Sequence, residues 1–394
     1  MTGPGAGHHR GFLLTDGGPA YWLAIRLGII RANSPSIIRR PFLSILVTWV
    51  PLFALSTLQG NAIGHLVSIP FVRDIAVHAR FLLAVPILLL AADVLGPGFA
   101  HAASHFKDSG LVPEQDYNKF DAAIEHGLRW RDSRAAELVL VLLAYALTVA
   151  NLRSTAVHVS TWYALRTPEG IALTWAGWWF VLLSVPLLLF LILRWLWRSF
   201  LWAQFLWRMN RLELRLIPTH PDRAGGLAFA GEAHQHLAIL VFAFSITVAG
   251  VLANNIIYGG VPFLRFAPAI AMYVLAAVAL FQAPMLVFCR TLRHTKRTGL
   301  FQYGALATAY TSAFHGKWII DSRWTKASLL GTADVQSLAD LGNSYSLVEK
   351  MDLVPMGVRT PILLALACLI PMAPLVLTLI PFNDILKLAV KMLL

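Results

Sequence analysis

Long apolar stretches alternate with shorter polar segments along the whole chain. Seven of them approach the roughly 20 apolar residues that a helix needs to cross a bilayer. They are residues 42–58, 79–95, 136–152, 174–194, 236–255, 267–289 and 361–380. The fourth is the best marked, because tryptophans cluster at both of its ends, as they do where helices meet the headgroup layers. The pattern predicts an all-α, polytopic helical membrane protein with about seven transmembrane helices.

Composition supports this interpretation. Of the 394 residues, 57% are hydrophobic and only 13% are charged, and the mean hydropathy is +0.65. Ordinary soluble proteins carry about 25% charged residues, so the soluble, disordered and fibrous classes are excluded. Cys289 and Cys368 lie in separate apolar segments, which excludes a disulfide framework and a zinc site built on cysteines.

Basic residues are distributed unevenly among the predicted loops. With the N-terminus inside, the inner segments 1–41, 96–135, 194–235 and 290–360 hold 25 of the 32 lysines and arginines. Because these residues concentrate in cytoplasmic loops, we predict a cytoplasmic N-terminus and a periplasmic C-terminus. The net charge of +12 therefore reflects orientation in a lipid bilayer, and no nucleic-acid partner is expected.

The predicted spans divide the chain into four regions. Residues 1–41 form a cytoplasmic N-terminal segment with an interfacial helix, and residues 42–289 form a six-helix membrane region containing two of the cytoplasmic loops. Residues 290–360 form a helical cytoplasmic loop, and residues 361–394 form the seventh helix and an outer interfacial tail.

Amphipathic helices are predicted in the cytoplasmic segments. Residues 20–32 form either a basic helix on the inner membrane surface or the first turns of the first hairpin. Residues 113–131 begin at a proline with two acids in the first turn and place apolar residues on one face. Residues 301–319 and 332–351 are two further candidates. We expect these helices to pack against each other or against a partner protein.

Three prolines suggest an internal repeat. Pro86, Pro186 and Pro284 follow one another at intervals of 100 and 98 residues, each in the middle of a predicted span. The helices before them also align, through threonines at matching positions. A threefold repeat of helical hairpins follows, unless the alignment reflects only the similar composition of apolar helices.

Three short blocks resemble a family known from other sequences. The block Pro218-Thr-His-Pro-Asp-Arg-Ala-Gly-Gly-Leu227, the run from Leu330 to Tyr345 and the run from Ser109 to Pro113 are similar to blocks of an uncharacterised family of bacterial polytopic membrane proteins. The resemblance implies a multi-pass protein of the bacterial inner membrane. It implies no activity.

The same block contains the best candidate for a ligand site. Gly225 and Gly226 permit backbone conformations that other residues disfavour, and amides in such a turn can bind an anion such as a phosphate or a lipid headgroup. Arg223 would supply positive charge, and Asp222 or His220 would orient it. The alternative is a rigid turn that only connects two spans.

Histidines also gather in the inner segments. His101 and His105 are four residues apart, which places them on one helix face as a metal pair requires. Glu232, His234 and His236 could complete a site. The dense histidine boxes of membrane di-iron enzymes are absent from the sequence, so no metal and no other cofactor is predicted.

Polar residues inside the spans are few. Intramembrane polar groups usually mark a functional pathway, although threonines more often join neighbouring helices. The candidates are Asp93, Thr48, Thr148, Thr247, Gln282, Asn254 and Asn255.

Three classes of function remain. The first is a channel or uncoupled carrier for a small solute or ion. The second is a structural or signalling membrane subunit that binds a cytoplasmic protein or forms a homo-oligomer. The third is a membrane-interface enzyme acting on a lipid or a phosphorylated substrate. All three require insertion in the lipid bilayer.

Overall fold

The computed structural model describes residues 12–26, 38–64, 66–155, 160–167, 170–320 and 333–379. Within this part of the chain, seven helical segments are long and apolar enough to cross a membrane. We number them as spans 1 to 7: Arg39–Leu58, Ile75–Asp108, Arg134–Leu152, Trp175–Met209, Ala228–Ile257, Phe263–Ile320 and Arg359–Val376. The predicted all-α polytopic fold with seven spans is confirmed. The outer tail predicted at 382–394 lies outside the described residues, as do residues 27–32 of the helix predicted over 20–32.

The remaining elements are short helices and one small hairpin. They are α1 (Pro19–Arg26), a 3₁₀ turn (Phe71–Arg73), a second 3₁₀ turn (Glu114–Asp116), α2 (Tyr117–Arg131), β1 (Ala164–Thr167) and β2 (Gly170–Leu173). Two further helices are α3 (Cys289–Phe314), which is the part of span 6 that extends past the bundle, and α4 (Ala333–Glu349). The two strands pair antiparallel, with Ala164 opposite Leu173. The helices predicted over 113–131, 301–319 and 332–351 are thus present.

Successive spans run in opposite directions, which gives the bundle two different ends. We call one the sheet end; it carries residues 59–64, 66–74, 160–167, 170–174 and 258–266. The other end carries more basic residues than the sheet end, and we call it the basic end; it carries residues 12–18, 109–133, 210–227, 289–320 and 333–358. A bridge between Ile69 and Thr161 joins two loops of the sheet end. The first described residues lie at the basic end and the last at the sheet end, as an odd number of spans requires.

Spans 2 and 4 are longer than the sequence predicted. Their helices continue to Asp108 and Met209, whereas the predicted spans ended at 95 and 194. The added turns are amphipathic and bury large side chains such as Phe99 and Phe106 against the rest of the bundle. Mean hydropathy underestimates such helices, because their outer faces are polar.

The first two hairpins share an irregular feature. A π-helical segment, Ala79–Ala84 in span 2 and Phe180–Ser184 in span 4, ends just before a Val-Pro pair that contains Pro86 or Pro186. Proline lacks an amide hydrogen and disturbs the regular helical pattern, and a π segment accommodates the extra residue. At Pro284 the corresponding segment is the 3₁₀ helix Ala283–Phe288. The third hairpin therefore differs locally from the first two.

The N-terminal segment, residues 12–18, is held inside the basic end. Phe12 is 1% exposed and its ring centroid lies 4.7 Å from that of Phe205. Arg198 of span 4 donates a hydrogen bond to the Thr15 carbonyl at 2.8 Å, and Arg194 donates one to the Gly17 carbonyl at 3.0 Å. Two buried cations therefore fix this segment against span 4.

An aromatic layer closes the core near the basic end. Phe99 and Trp202 stack with ring centroids 4.7 Å apart, and Trp202 stacks on Phe205 at 5.5 Å. Phe106 meets Phe205 edge to face at 5.9 Å. Aromatic side chains in such geometry pack densely, so spans 2 and 4 are closely packed at the depth of this layer.

Candidate functional site

A cavity with many polar side chains in its lining lies at the sheet end, and we call it the polar cavity. It is larger than the other cavities described below. It measures about 560 Å³ and is bounded by spans 2 to 5 and the loop before β1. Its polar lining comprises Ser68, Asp74, Arg80, Thr148, Asn151, Thr161, Tyr163, Asn254, Asn255 and Tyr258. Ser68 and Tyr258 belong to the exposed surface of that end, so the polar cavity opens there.

An apolar cavity adjoins the polar one. It measures about 410 Å³ and shares Arg80, Asn151, Val185 and Val251 with the polar cavity. It extends toward the membrane interior past Thr247. Arg80 therefore lies where the two cavities meet.

The start of span 2 fixes the place of Arg80. Asp74 caps the helix by accepting a hydrogen bond from the Val77 amide at 3.1 Å. Arg80 follows in the π-helical segment, which widens the helix at this depth. Such segments occur often at functional sites.

Asp74 is fully engaged by its neighbours. Its Oδ1 also accepts a hydrogen bond from the Asn254 side chain at 2.8 Å, and its Oδ2 accepts one from the Trp162 indole at 2.8 Å. Asp74 is 7% exposed, and Trp162 is fully buried. The carboxylate thus joins span 2, span 5 and the loop before β1, and its role is structural.

Arg80, in contrast, has unused hydrogen-bonding capacity. Among the described residues, its guanidinium forms neither a hydrogen bond nor an ion pair, and only Asp74 and Tyr163 act on its charge. Burial, followed by the charge of Asp74, raises the pKa of the Tyr163 phenol. That phenol therefore stays a hydroxyl donor at neutral pH. The Asp74 carboxylate also lines the cavity, but its oxygens already accept three hydrogen bonds. Beside it the cavity offers an arginine and neutral donors, a combination suited to a small anion.

The candidate threonines have different surroundings. Thr148 lines the polar cavity and Thr247 the apolar one, and each hydroxyl donates to a carbonyl of its own helix. Thr48 lines neither cavity; its carbonyl accepts a hydrogen bond from Ser184 of span 4 at 3.0 Å. No continuous path past all three threonines follows from these positions.

Two other intramembrane candidates lie away from both cavities. Asp93 pairs with Arg40 of span 1 at 3.5 Å. Gln282 is 7% exposed, and neither its amide nitrogen nor its amide oxygen has a hydrogen-bond partner among the described residues. The first links two spans, and the second is an unpaired amide in the core.

The 218–227 turn folds around the Asp222 carboxylate. This group accepts hydrogen bonds from the amides of Ala224 at 2.8 Å, Gly226 at 3.1 Å and Ala228 at 3.0 Å. His220 Nδ1 lies 2.7 Å from it. Burial raises the pKa of Asp222, but these hydrogen bonds together bring it below its usual value. Asp222 itself thus occupies the anion-binding amides of the turn.

The flanking residues adopt unusual backbone conformations. Arg223 has φ +58°, and Gly225 and Gly226 have φ +65° and +100°. The Arg223 side chain is exposed, and its carbonyl accepts a hydrogen bond from the Asp352 amide at 2.7 Å. The turn is therefore tied to the segment after α4, and binding of an external anion there stays a prediction.

The candidate histidines do not converge. His234 is fully buried, with Nδ1 3.3 Å from the Trp202 indole nitrogen, whereas His101, His105, Glu232 and His236 are exposed. Within the described ranges, no group of three or more His, Cys, Asp or Glu side chains could hold a metal ion.

Comparisons with protein-family models, with curated proteins and with solved structures gave no match for this chain. The cavity and its lining are therefore the basis for assigning a function.

The sequence analysis identified some residues that line the polar cavity but did not identify Arg80. Asn254, Asn255 and Thr148 were candidates, and all three line the polar cavity. Arg80 was not among the candidates, although it lies near the start of the predicted span 79–95. The sequence feature that could have pointed to Arg80 is its position six residues before Pro86, within the same predicted span.

Proposed function

We propose that this protein is a channel or uncoupled carrier for a small solute, and that the solute is an anion. The observation that carries the proposal is the unpaired guanidinium of Arg80 at the junction of the two cavities. An arginine in a membrane span is costly unless it has a partner or faces water. A transported anion would be an intermittent partner of that kind.

The closed basic end favours a carrier over an open pore. The polar cavity opens at the sheet end, while the aromatic layer around Trp202 fills the core at the basic end. Solute would enter from the sheet end and reach Arg80. Release on the other side would require a rearrangement of spans 2 and 4, whose π-helical segments lie next to the cavities.

The test is anion flux into liposomes containing the purified protein. We suggest chloride, acetate, phosphate and sulfate as probes, with glycerol as the neutral control. A charge-assisted hydrogen bond contributes about 1.5–3 kcal/mol, so Arg80→Gln should weaken apparent affinity by about tenfold or more, and Arg80→Lys by less. Arg265→Gln is the matched control, because Arg265 is an exposed arginine of the same end. Flux equal to that of empty liposomes, or equal flux in wild type and Arg80→Gln, would overturn the proposal.

We further propose that the sheet end faces the periplasm of a bacterial inner membrane and the basic end faces the cytoplasm. The bias in lysine and arginine supports this orientation. Leu264 at the sheet end is 67% exposed, and Phe301 of α3 is 69% exposed. In intact cells, a membrane-impermeant thiol reagent should label Leu264→Cys and should label Phe301→Cys only after permeabilisation. The opposite pattern would reverse the assignment.

A second candidate function is supported by the arm formed by α3 and α4. These two helices pack antiparallel beyond the bundle, yet Leu292 and Gly299 are the only described buried residues of α3. Phe301 and Leu306 are exposed by 69% and 54%. Exposed apolar side chains on an arm beyond the bundle are available for contact with another protein, as expected for a membrane subunit or a homo-oligomer.

The test of the second candidate is cross-linking through the arm in cells. A photoreactive residue at position 301 should give a discrete adduct with another protein or with a second copy of the chain. A photoreactive residue in place of Gly342, on α4, is the comparison within the arm. Absence of any adduct at position 301 would argue against this function.

A further inference from the structure

A third cavity lies between α1 and spans 1, 2 and 4, near the basic end. It measures about 320 Å³. Most of its wall is aliphatic or aromatic and includes Leu43, Leu88, Leu191 and Trp195. Its volume is at the lower limit of the roughly 300–1,000 Å³ typical of ligand pockets. It can therefore hold part of one acyl chain, with the rest of a lipid outside.

The edge of this cavity is positively charged. Arg40, Arg194 and Arg198 contribute to its lining, together with the single carboxylate of Asp16. Arg194 and Arg198 are oriented by the N-terminal segment, to whose carbonyls they donate. The lining thus carries a net positive charge beside an apolar interior.

Arg40 is the cation with unused capacity. Its side chain is 17% exposed, and its one ion pair among the described residues, with Asp93, spans 3.5 Å. Its Nε is buried and has no hydrogen-bond partner in the described part of the chain. A buried donor of a charged group is costly to leave unpaired, so the site is suited to an additional anionic acceptor.

The neighbouring helix α1 places the cavity at the membrane interface. Trp22 and Leu23 are exposed by 57% and 56%, and Arg26 ends the helix. Exposed tryptophan beside arginine on a short helix is typical of the boundary between headgroups and acyl chains. A lipid in the same leaflet would have its phosphate at the depth of α1 and its acyl chains at the depth of the apolar wall.

We infer that this cavity is a binding site for one anionic phospholipid. The proximal part of an acyl chain lies against Leu88 and Leu191, and the phosphate accepts hydrogen bonds from Arg40. This inference does not depend on the transport function. It concerns a different cavity and the opposite end of the bundle.

The test is lipid retention by the purified full-length protein, measured by native mass spectrometry. Delipidated protein is titrated with phosphatidylglycerol or with phosphatidylcholine of the same chain length. We expect phosphatidylglycerol to bind at least tenfold more tightly. Arg40→Gln should weaken its binding by about tenfold. Arg26→Gln, which removes an exposed arginine outside the cavity, should change it by less than about twofold.

Two further variants separate a lipid site from a purely structural ion pair. Asp93→Asn frees Arg40, so binding of phosphatidylglycerol should be unchanged or tighter. Ala92→Phe fills the cavity while leaving Arg40 in place, and it should weaken both lipids. Equal retention of the two lipids, loss of binding in Asp93→Asn, or full displacement of phosphatidylglycerol by inorganic phosphate would each overturn the inference. The last result would identify a site for free phosphate.

Discussion

The hydrogen bonds of Asp74 hold the sheet end together, and their contribution can be measured. Asp74→Ala removes the cap of span 2, worth about 0.5–2 kcal/mol. It also leaves the buried Trp162 indole without its acceptor, at a cost of about 1–3 kcal/mol. We therefore expect the free energy of unfolding to fall by about 1.5–5 kcal/mol.

A double-mutant cycle isolates the contact between Asp74 and Trp162. Trp162→Phe removes the donor and part of the ring, and the packing loss from the smaller ring cancels in the cycle. Because hydrogen bonds to charged groups contribute about 1.5–3 kcal/mol, the coupling energy should fall in that range. Unfolding in detergent–SDS mixtures followed by far-UV circular dichroism supplies the four stabilities.

A matched cycle tests whether the coupling is specific. Trp175 is a tryptophan of the same end but is 65% exposed, so Trp175→Phe combined with Asp74→Ala should be additive. A coupling energy below about 0.5 kcal/mol between Asp74 and Trp162 would refute a structural role for that hydrogen bond.

Three further predictions concern other parts of the chain. The pKa of Asp222 is lowered in the folded protein, so its carboxylate stabilises the fold above the unfolded pKa of about 3.9 and loses that contribution as pH falls through the folded pKa. Below about pH 4 the wild type should therefore lose stability more steeply than Asp222→Asn. Parallel pH profiles of the two proteins would contradict this. Gln282→Leu should stabilise the protein by about 1–3 kcal/mol, because it removes a buried amide without a partner; a loss of stability would show that the amide is used. Gly177→Ala should destabilise the protein and distort the polar cavity, because a Cβ at this position would collide with the Tyr163 carbonyl. Gly316→Ala is the control, since a Cβ there meets no other atom and should be tolerated. Thermal unfolding of both variants tests the difference.

The spans could be predicted from the sequence because hydropathy depends only on composition within a window. All seven predicted stretches correspond to helices of the structure. The extensions of spans 2 and 4 could not be predicted in this way. Their polar residues resemble loops in composition. Their apolar faces are recognisable only in the structure, where Phe205 of span 4 packs against Phe106 of span 2 and against Phe12.

The polar cavity was less accessible to sequence reasoning, because it is assembled from distant residues. Asp74 and Asn254 are 180 positions apart, yet they share a hydrogen bond. Arg80 looks like an ordinary boundary arginine until the loop containing Tyr163 is placed over it. The 218–227 turn was recognised from the sequence as a candidate ligand site. The structure adds that Asp222 accepts hydrogen bonds from three of its amides, and binding of an external anion there stays a prediction.

The burial of the N-terminal segment has a consequence for biogenesis. Phe12 leaves the ribosome long before Trp202 and Phe205, the side chains against which it packs. During synthesis Phe12 therefore stays without its packing partners, exposed or shielded by a chaperone, until span 4 has been inserted. Arg194 and Arg198 then secure it through the carbonyls of Gly17 and Thr15. A segment that is translated before all seven spans thus reaches its final position only after the fourth has been inserted.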